Sequence, residues 1–257
     1  MSGTKQRSRR RARPTQTRLF RAPVLRTERI TPGMQRVTLC GGDLGEFVNA
    51  GTDSHVVLYF YAEGAELPEP LTATTARAAF AAVRPEMRSY TIRRFDARTT
   101  ELDIDFVLHA ESGPAASWAR DARPGDELIF VGPSPAYEPD PEASGYLLIG
   151  DESALPAIQA TLPELNPAIP VTVLVEIADE AERQPMPVPV TWVHREGGEL
   201  ADPGRLRAAL AGIELDPGLD VWLAGERTVM HELRRFLLEA GLPRDRVRPT
   251  TYWRAGT

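Results

Sequence analysis

The chain has 257 residues, 42% hydrophobic and 26% charged with a net charge of −6, an ordinary soluble composition long enough for one large domain or two small ones. A single cysteine, Cys40, excludes an internal disulfide and fits a reducing, cytoplasmic setting, and four scattered histidines offer no metal-ligand spacing. No apolar run approaches the roughly 18 residues of a membrane span, and no signal-peptide core follows the start.

Residues 1–30 hold ten basic side chains against Glu28 alone, so the remainder is markedly acidic. The stretch from Arg7 to Pro14 has no apolar periodicity, and residues 1–17 read as a disordered, solvated basic tail in preference to a nucleic-acid or membrane anchor. Lys5 is the only lysine, which removes Schiff-base chemistry from the folded part.

From residue 18 the pattern is one of short β-rich runs with polar turns, at 19–30, 34–40, 54–61, 88–94, 102–108 and 126–131. Six strands so spaced predict a closed antiparallel barrel over 18–140. Cys40, ending an apolar-rich run, is expected to be a small buried residue. Residues 62–84 read as a surface insertion with a helical stretch around 74–82.

Within this half, Arg88-Ser89-Tyr90-Thr91-Ile92-Arg93 alternates a cation, an aromatic ring and hydroxyls along an extended run. An arginine fork suits a phosphate, a tyrosine ring suits stacking on a planar heterocycle, and a threonine hydroxyl suits a ring nitrogen. The same residues also suit a plain edge strand. Further on, the strand ending at His109 opens into Gly113-Pro114-Ala115-Ala116-Ser117, a small-residue turn leading into a helix. That geometry aims backbone N–H groups at an anion such as a pyrophosphate, although an ordinary strand–helix connection has the same look.

The Pro-, Ser- and acid-rich segment from Gly132 to Gly145 reads as a linker. Beyond it the rhythm changes. Strands at 146–149, 171–176, 190–193 and 220–223 alternate with helices near 154–163, 201–211 and 227–239, and a last strand runs from Val247 to Arg254. This predicts an α/β domain with a parallel sheet over 145–257. Its first β-to-α turn, Gly150-Asp151-Glu152-Ser153-Ala154, lies where open α/β sheets bind ligands but carries no GxGxxG fingerprint.

RSYTIR, DFVLH followed by GPAASWA, GDESALPAI, WLAGE and the closing YWRAG, in that order, resemble the siderophore-interacting protein family, a branch of the ferredoxin-reductase-like flavoproteins. The resemblance spans nearly the whole chain from about residue 18. It implies an FAD-dependent reductase of ferric siderophores or other ferric chelates, with NADPH or NADH, or alternatively ferredoxin, as donor. Two other readings stay open: the same scaffold with another electron acceptor, and a siderophore binder without turnover.

On this resemblance Arg88, Ser89, Tyr90, Thr91, His109, Gly113, Pro114, Ala115, Ala116 and Ser117 would hold FAD. Asp151, Ser153, Ala154 and Glu226 would line the nicotinamide approach, with Asp151 and Glu152 facing the flavin cleft as poor phosphate neighbours. Trp253 and Arg254 would meet the iron complex. No metal is held by the protein's own side chains, and no catalytic side chain is assigned. Two departures bear on the substrate. Val57 stands where relatives commonly carry a basic residue in a DxHVKL-like segment, and Ser134 stands in place of the arginine of a GPRG-like turn.

Overall fold

The computed structural model describes residues 18–108, 113–134 and 137–256. Its first half is built from β1 (Arg18–Thr31), β2 (Met34–Cys40), β3 (His55–Phe60), β4 (Glu86–Thr91), β5 (Arg94–Asp96), β6 (Glu101–Val107) and β7 (Glu127–Ser134), with helices α1 (Ala73–Ala78) and α2 (Pro114–Asp121) between them. The strands form one antiparallel sheet in the order β4-β3-β7-β1-β2-β6-β5.

Strand β1 belongs to both halves of this sheet. Arg18–Pro23 pair with β7, and Val24–Thr31 pair with β2 across a register shift. Proline at position 23 donates no ladder bond, so the strand changes partners there. The two edge strands are consecutive in sequence. Ile92 N–H donates to Ser54 O beside β3 at 2.8 Å, and Arg93 N–H donates to Asp103 O on β6 at 2.9 Å. One extended segment thus borders both edges and closes the barrel, which removes the exposed edge an open sheet would carry. The expected six strands appear as seven because the predicted run 88–94 is broken at Ile92–Arg93.

Alternate residues of each strand fill the barrel: Phe20, Val37, Leu39, Val56, Leu58, Ile104, Phe106 and Phe130 are all 2% exposed or less. Two expectations need correction here. Cys40 is half-buried, its thiol donating to Thr99 O at 3.4 Å, because it sits at the strand's end and not inside the barrel. Residues 62–84 are more than a surface insertion. Ala76 of α1 and Phe80 pack with Leu71, Val57, Tyr59, Leu19 and Val131 into a second small core on the outer face of the barrel.

The second half contains β8 (Tyr146–Asp151), α3 (Leu155–Thr161), β9 (Val171–Ile177), β10 (Thr191–His194), α4 (Gly204–Leu210), β11 (Asp220–Glu226), α5 (Arg227–Glu239) and β12 (Val247–Trp253). All five strands are parallel, in the order β10-β9-β8-β11-β12. Every residue of β8 and β11 is buried, as expected of a sheet covered on both faces. Helix α5 turns Val229, Met230, Leu233 and Leu237 inward at helical spacing. The chain reverses its direction of strand addition between β8 and β11, so the crevice at their C-terminal ends is the topological switch point. No helix among the described residues is long and apolar enough to cross a membrane.

Polar contacts tie the halves together. Glu182, in the loop after β9, accepts from Thr31 Oγ1 at 2.5 Å and from Gly33 N–H at 2.7 Å. Arg93 Nε donates to Gln159 Oε1 of α3 at 2.6 Å, and Trp222 Nε1 of β11 donates to Asp53 Oδ2 at 3.1 Å.

Candidate functional site

Strand β4 presents its residues as the alternation requires. Arg88 is about half exposed, with only a 3.4 Å ion pair to Glu86 and a 2.9 Å bond from its guanidinium to Met87 O. An exposed pair of this kind is weak, so the guanidinium is available to a stronger anion at little cost. Ser89 is exposed. Tyr90 is half-buried, its ring 4.4 Å from that of Phe106 at 35°, and burial pushes its hydroxyl up to about 12. Thr91 is buried and pairs with His55 of β3, which pairs in turn with Ser134 of β7.

Helix α2 comes to the same place through Phe106, whose ring also contacts Trp118 at 5.8 Å. Gln35 Nε2 anchors the helix by donating to Ala119 O at 2.6 Å. Gly113 is the N-cap and Pro114 the first helical residue, as the sequence suggests. Ser117 N–H is used inside the helix, on Gly113 O at 3.0 Å, so it is not one of the anion donors expected of this turn. The N–H groups of Ala115 and Ala116 belong to the first turn and have no intrahelical acceptor. Space around the Gly113 Cα is open, with nothing within 4 Å of where a Cβ would stand. His109 lies outside the described residues.

The donor set of this corner suits a flavin dinucleotide. A half-exposed guanidinium and a helix N-terminus suit a pyrophosphate, a tyrosine ring backed by a second aromatic suits a planar heterocycle, and the hydroxyl of Ser54, whose backbone pairs with Ile92, is buried with no partner among the described residues.

At the switch point the structure revises several sequence assignments. Asp151 does not face an open cleft. Its carboxylate is 7% exposed and accepts from Ser153 N–H at 2.9 Å, from the Ser153 hydroxyl, from Glu226 N–H at 3.1 Å and from Trp253 Nε1 at 2.8 Å. Burial raises its proton affinity, and these donors oppose that. Two glycines shape this turn, Gly225 leaving room for the carboxylate and Gly150 for Ala154. A Cβ on Gly225, whose φ is +149°, would stand 2.5 Å from Asp151 Oδ2, and one on Gly150 would stand 2.3 Å from the Cβ of Ala154. Ala154 is fully buried behind that turn, so its side chain forms wall and not ligand surface.

Glu226 is 1% exposed. Its carboxylate caps α5 at Val229 N–H, 3.0 Å, and accepts from Ala255 N–H at 3.3 Å, so it too is turned inward. Glu152 is held by Arg195 in a two-pronged ion pair, with one contact at 2.9 Å; Arg195 and Arg205 both also reach Glu176, at 3.6 and 3.2 Å. The carboxylates that sequence reasoning placed around a nicotinamide therefore build the rim of the crevice. The acid-capped turn also occupies the helix N-terminus where a Rossmann site would bind phosphate.

Between the halves lies a cluster that the sequence did not reveal. Asp53 is 2% exposed in a left-handed conformation, φ +48°, and accepts from both Trp222 Nε1 and the Tyr252 hydroxyl. Burial lifts its carboxyl to about 6 against these two donors. Arg93, the last residue of the RSYTIR run, reaches Gln159 from the barrel side. Asp53 and Tyr252 both sit in segments singled out from the sequence, DSHVVL and YWRAG, but nothing in either segment names the other as partner.

Trp253 is half-buried against Asp151, and Arg254 is exposed one residue on. Val57 turns outward beneath Phe80 and Leu71, so the position is committed to packing. A surface groove of about 760 Å³ between α5 and β12 is lined by His231, Arg234, Arg235, Leu238, Glu239 and Arg244.

Comparison with known proteins agrees with this geometry. Residues 23–137 match the siderophore-interacting FAD-binding domain and residues 143–256 the siderophore-interacting protein domain. An NADPH-dependent ferric-chelate reductase of Escherichia coli is 34% identical over 242 residues, covering 90% of this chain and 91% of its own. A ferric vibriobactin reductase of Vibrio cholerae is 30% identical over 247 residues, covering 90% and 88%. A siderophore utilization protein from T. fusca superposes with a TM-score of 0.79 at 36% identity, over 93% of this chain and 94% of that one. Phthalate dioxygenase reductase shares the fold alone, at 13% identity and a TM-score of 0.66 over 93% of this chain and 70% of its own, which makes the two-domain arrangement ferredoxin-reductase-like. The chain belongs to the siderophore-interacting protein family.

Proposed function

We propose that the protein is an FAD-dependent reductase of ferric-siderophore or other ferric-chelate complexes, drawing electrons from NADPH or NADH and releasing Fe(II). The observation that supports this most is the convergence of Arg88, Tyr90, Thr91 and the start of α2 on one corner of the barrel, beside the switch-point crevice of the parallel sheet. Bound FAD would supply the junction between a two-electron hydride donor and a one-electron iron acceptor.

In this reading Arg88 and the N–H groups of Ala115 and Ala116 hold the pyrophosphate, with Gly113 and Pro114 shaping the turn, Ser117 on its helical face and Ser89 at the exposed edge. Tyr90 stacks on the isoalloxazine, and the Thr91 hydroxyl stands at its polar edge. The nicotinamide enters over the Asp151–Ala154 turn, whose buried acids fix the backbone and repel phosphate, so the donor is gripped at its nicotinamide end more than at its phosphates. The iron complex docks where Trp253 and Arg254 return toward the barrel, and it is written throughout as substrate. Ferredoxin is the alternative donor, in which case a protein surface and not the crevice delivers the electrons. The setting is soluble and cytoplasmic.

Purified protein should be yellow, with FAD released on denaturation. Anaerobic NADPH or NADH should bleach it, and a ferric hydroxamate chelate should restore the colour with two Fe(II) trapped by ferrozine for each flavin. Colourless protein with no affinity for added FAD would remove the reading, and a flavin bleached by reduced ferredoxin alone would reassign the donor.

A further inference from the structure

The parallel sheet runs in the order β10-β9-β8-β11-β12, so a dinucleotide seated at the β8–β11 switch point lays its adenosine half over the C-terminal ends of β8 and β9. In this architecture the end of the second strand decides between the two nicotinamide donors. An acid there suits a free ribose 2′-hydroxyl, and an unengaged arginine nearby suits a 2′-phosphate. Glu176 holds that place. It is the last residue but one of β9 and stands beside Asp151 in the β8–β9 ladder. Resting on the reading of this crevice as the nicotinamide entrance, we propose that Glu152 and Glu176 make the protein select NADH, the donor without a 2′-phosphate, by neutralising the two arginines that such a phosphate would need.

Three features support this assignment. First, both arginines are committed. Arg195, which follows β10, donates through two nitrogens to the two oxygens of Glu152, one of them at 2.9 Å, and lies 3.6 Å from Glu176. Arg205, in α4, donates to both oxygens of Glu176 at 3.2 Å and to Asp202 Oδ2 at 3.2 Å. Two guanidiniums thus meet three carboxylates, which leaves the cluster one negative charge in excess. Second, the cluster is shielded from water. The side chains of Arg195, Glu152 and Glu176 are 9%, 13% and 4% exposed. Breaking such a pair is costly, because the partner left behind would be an uncompensated buried charge. Third, the next cation along the loop after β9, Arg183, is paired with Glu180 at 3.0 Å. Arg88 makes the opposite case, since its pair is exposed and exchangeable.

A 2′-phosphate brought over β9 would add about two negative charges to a site that is already acidic, with little water to screen them. The 2′-hydroxyl of NADH brings no charge, and the Glu152 carboxylate keeps lone pairs beyond those given to Arg195 with which to accept from it. The selection therefore works by repelling one donor more than by attracting the other.

Donor choice and donor use are measured separately. In the FAD-loaded protein, anaerobic stopped flow should give a second-order rate of flavin reduction on the order of tenfold higher with NADH than with NADPH. ADP-ribose and 2′-phospho-ADP-ribose, which carry no nicotinamide and need no flavin, should show the same preference by calorimetric titration. Glu152→Gln removes one charge and loosens Arg195. It should raise both the NADPH rate and the affinity for 2′-phospho-ADP-ribose about tenfold, with little change for NADH and ADP-ribose. Adding Glu176→Gln should carry the shift further and reverse the preference. If these variants fold poorly, Asp202→Asn, at a side chain 43% exposed, takes one charge from the same cluster and should move the ratio in the same direction.

A merely structural role would lower both donors together and leave their ratio alone. A parent that binds 2′-phospho-ADP-ribose as tightly as ADP-ribose, or variants that keep the parent's ratio, overturns the inference while the flavin reading stands. A protein that separates the two ADP-riboses as expected, yet whose flavin is reduced by neither donor, keeps the role of the cluster and overturns the donor reading.

Discussion

The indole N–H of Trp253 donates to Asp151 Oδ2 at 2.8 Å, joining the end of the last strand to the first turn of the parallel sheet. Two segments 102 residues apart are thereby locked at the switch point, and the carboxylate that receives the bond is buried. Removing a donor from a buried acceptor typically costs about 1–3 kcal/mol. Trp253→Phe should lower the unfolding free energy by that amount in a urea titration and expose residues 253–256 to carboxypeptidase. An unchanged midpoint and unchanged proteolysis would show that the bond does not hold the terminus.

Glu226 makes a separate case, because its carboxylate caps α5 while its backbone N–H reaches Asp151. Replacing a helix cap by alanine costs about 0.5–2 kcal/mol. Glu226→Ala should therefore lose stability by thermal melting, with any change in nicotinamide-driven flavin reduction following the folded fraction. A large fall in the reduction rate at unaltered stability would return Glu226 to the nicotinamide site.

How much of this was legible in the sequence follows from range of interaction. The strand pattern and the alternation that builds the parallel sheet rest on local periodicity and appear where expected, as does Pro114 at the start of α2, whereas Gly132 to Ser134 of the expected linker belong to β7. What escaped depends on distant partners. The sequence shows GDESA at a strand end, where a ligand contact is the natural reading. Only the fold shows that Trp253 and Glu226 N–H point back at Asp151 and that Gly225 leaves room for it. Asp53 was invisible for the same reason: its donors, Trp222 and Tyr252, come from the other domain. The break at Ile92–Arg93 is likewise a matter of two neighbours, β3 and β6, that local pattern cannot supply.

The raised proton affinity of Asp53 carries a stability consequence. In the unfolded chain the carboxyl titrates near 3.9, and in the folded protein it titrates at about 6, so the native state holds the proton more tightly. The contribution is fully present below pH 4 and is lost as pH rises to 6, a change on the order of 3 kcal/mol. The difference in unfolding free energy between the parent and Asp53→Asn should shift across pH 4–6 against the parent and stay level above it. A difference that is flat over this whole range would place the carboxyl at its ordinary value.

Arg88 tests the cofactor assignment directly. Its guanidinium has an exposed 3.4 Å pair with Glu86 and a 2.9 Å bond to Met87 O to exchange, both at the surface, so a pyrophosphate would gain most of a charge-assisted bond. Arg88→Ala should weaken FAD binding by about 1.5–3 kcal/mol, roughly 10- to 150-fold in Kd, with little change in fold stability. Unaltered FAD affinity by fluorescence titration would move the phosphate elsewhere.

The chelate's charge is the last expectation. Of the positions where relatives commonly carry cations, Val57 is committed to the small outer core under Phe80 and Ser134 is uncharged, and burial pushes the neighbouring His55 toward its neutral form. A strongly anionic complex entering such a mouth would be desolvated with few cations to receive it. Neutral hydroxamate-type ferric chelates should therefore be reduced faster than highly anionic catecholates of matched reduction potential. Arg254→Ala should slow reoxidation by the chelate about tenfold, while the nicotinamide bleaches the flavin at the parent's rate. Restoring cations with Val57→Lys and Ser134→Arg should narrow the gap between the two chelate classes, and equal rates on both in the unmodified protein would show that these positions do not set the substrate.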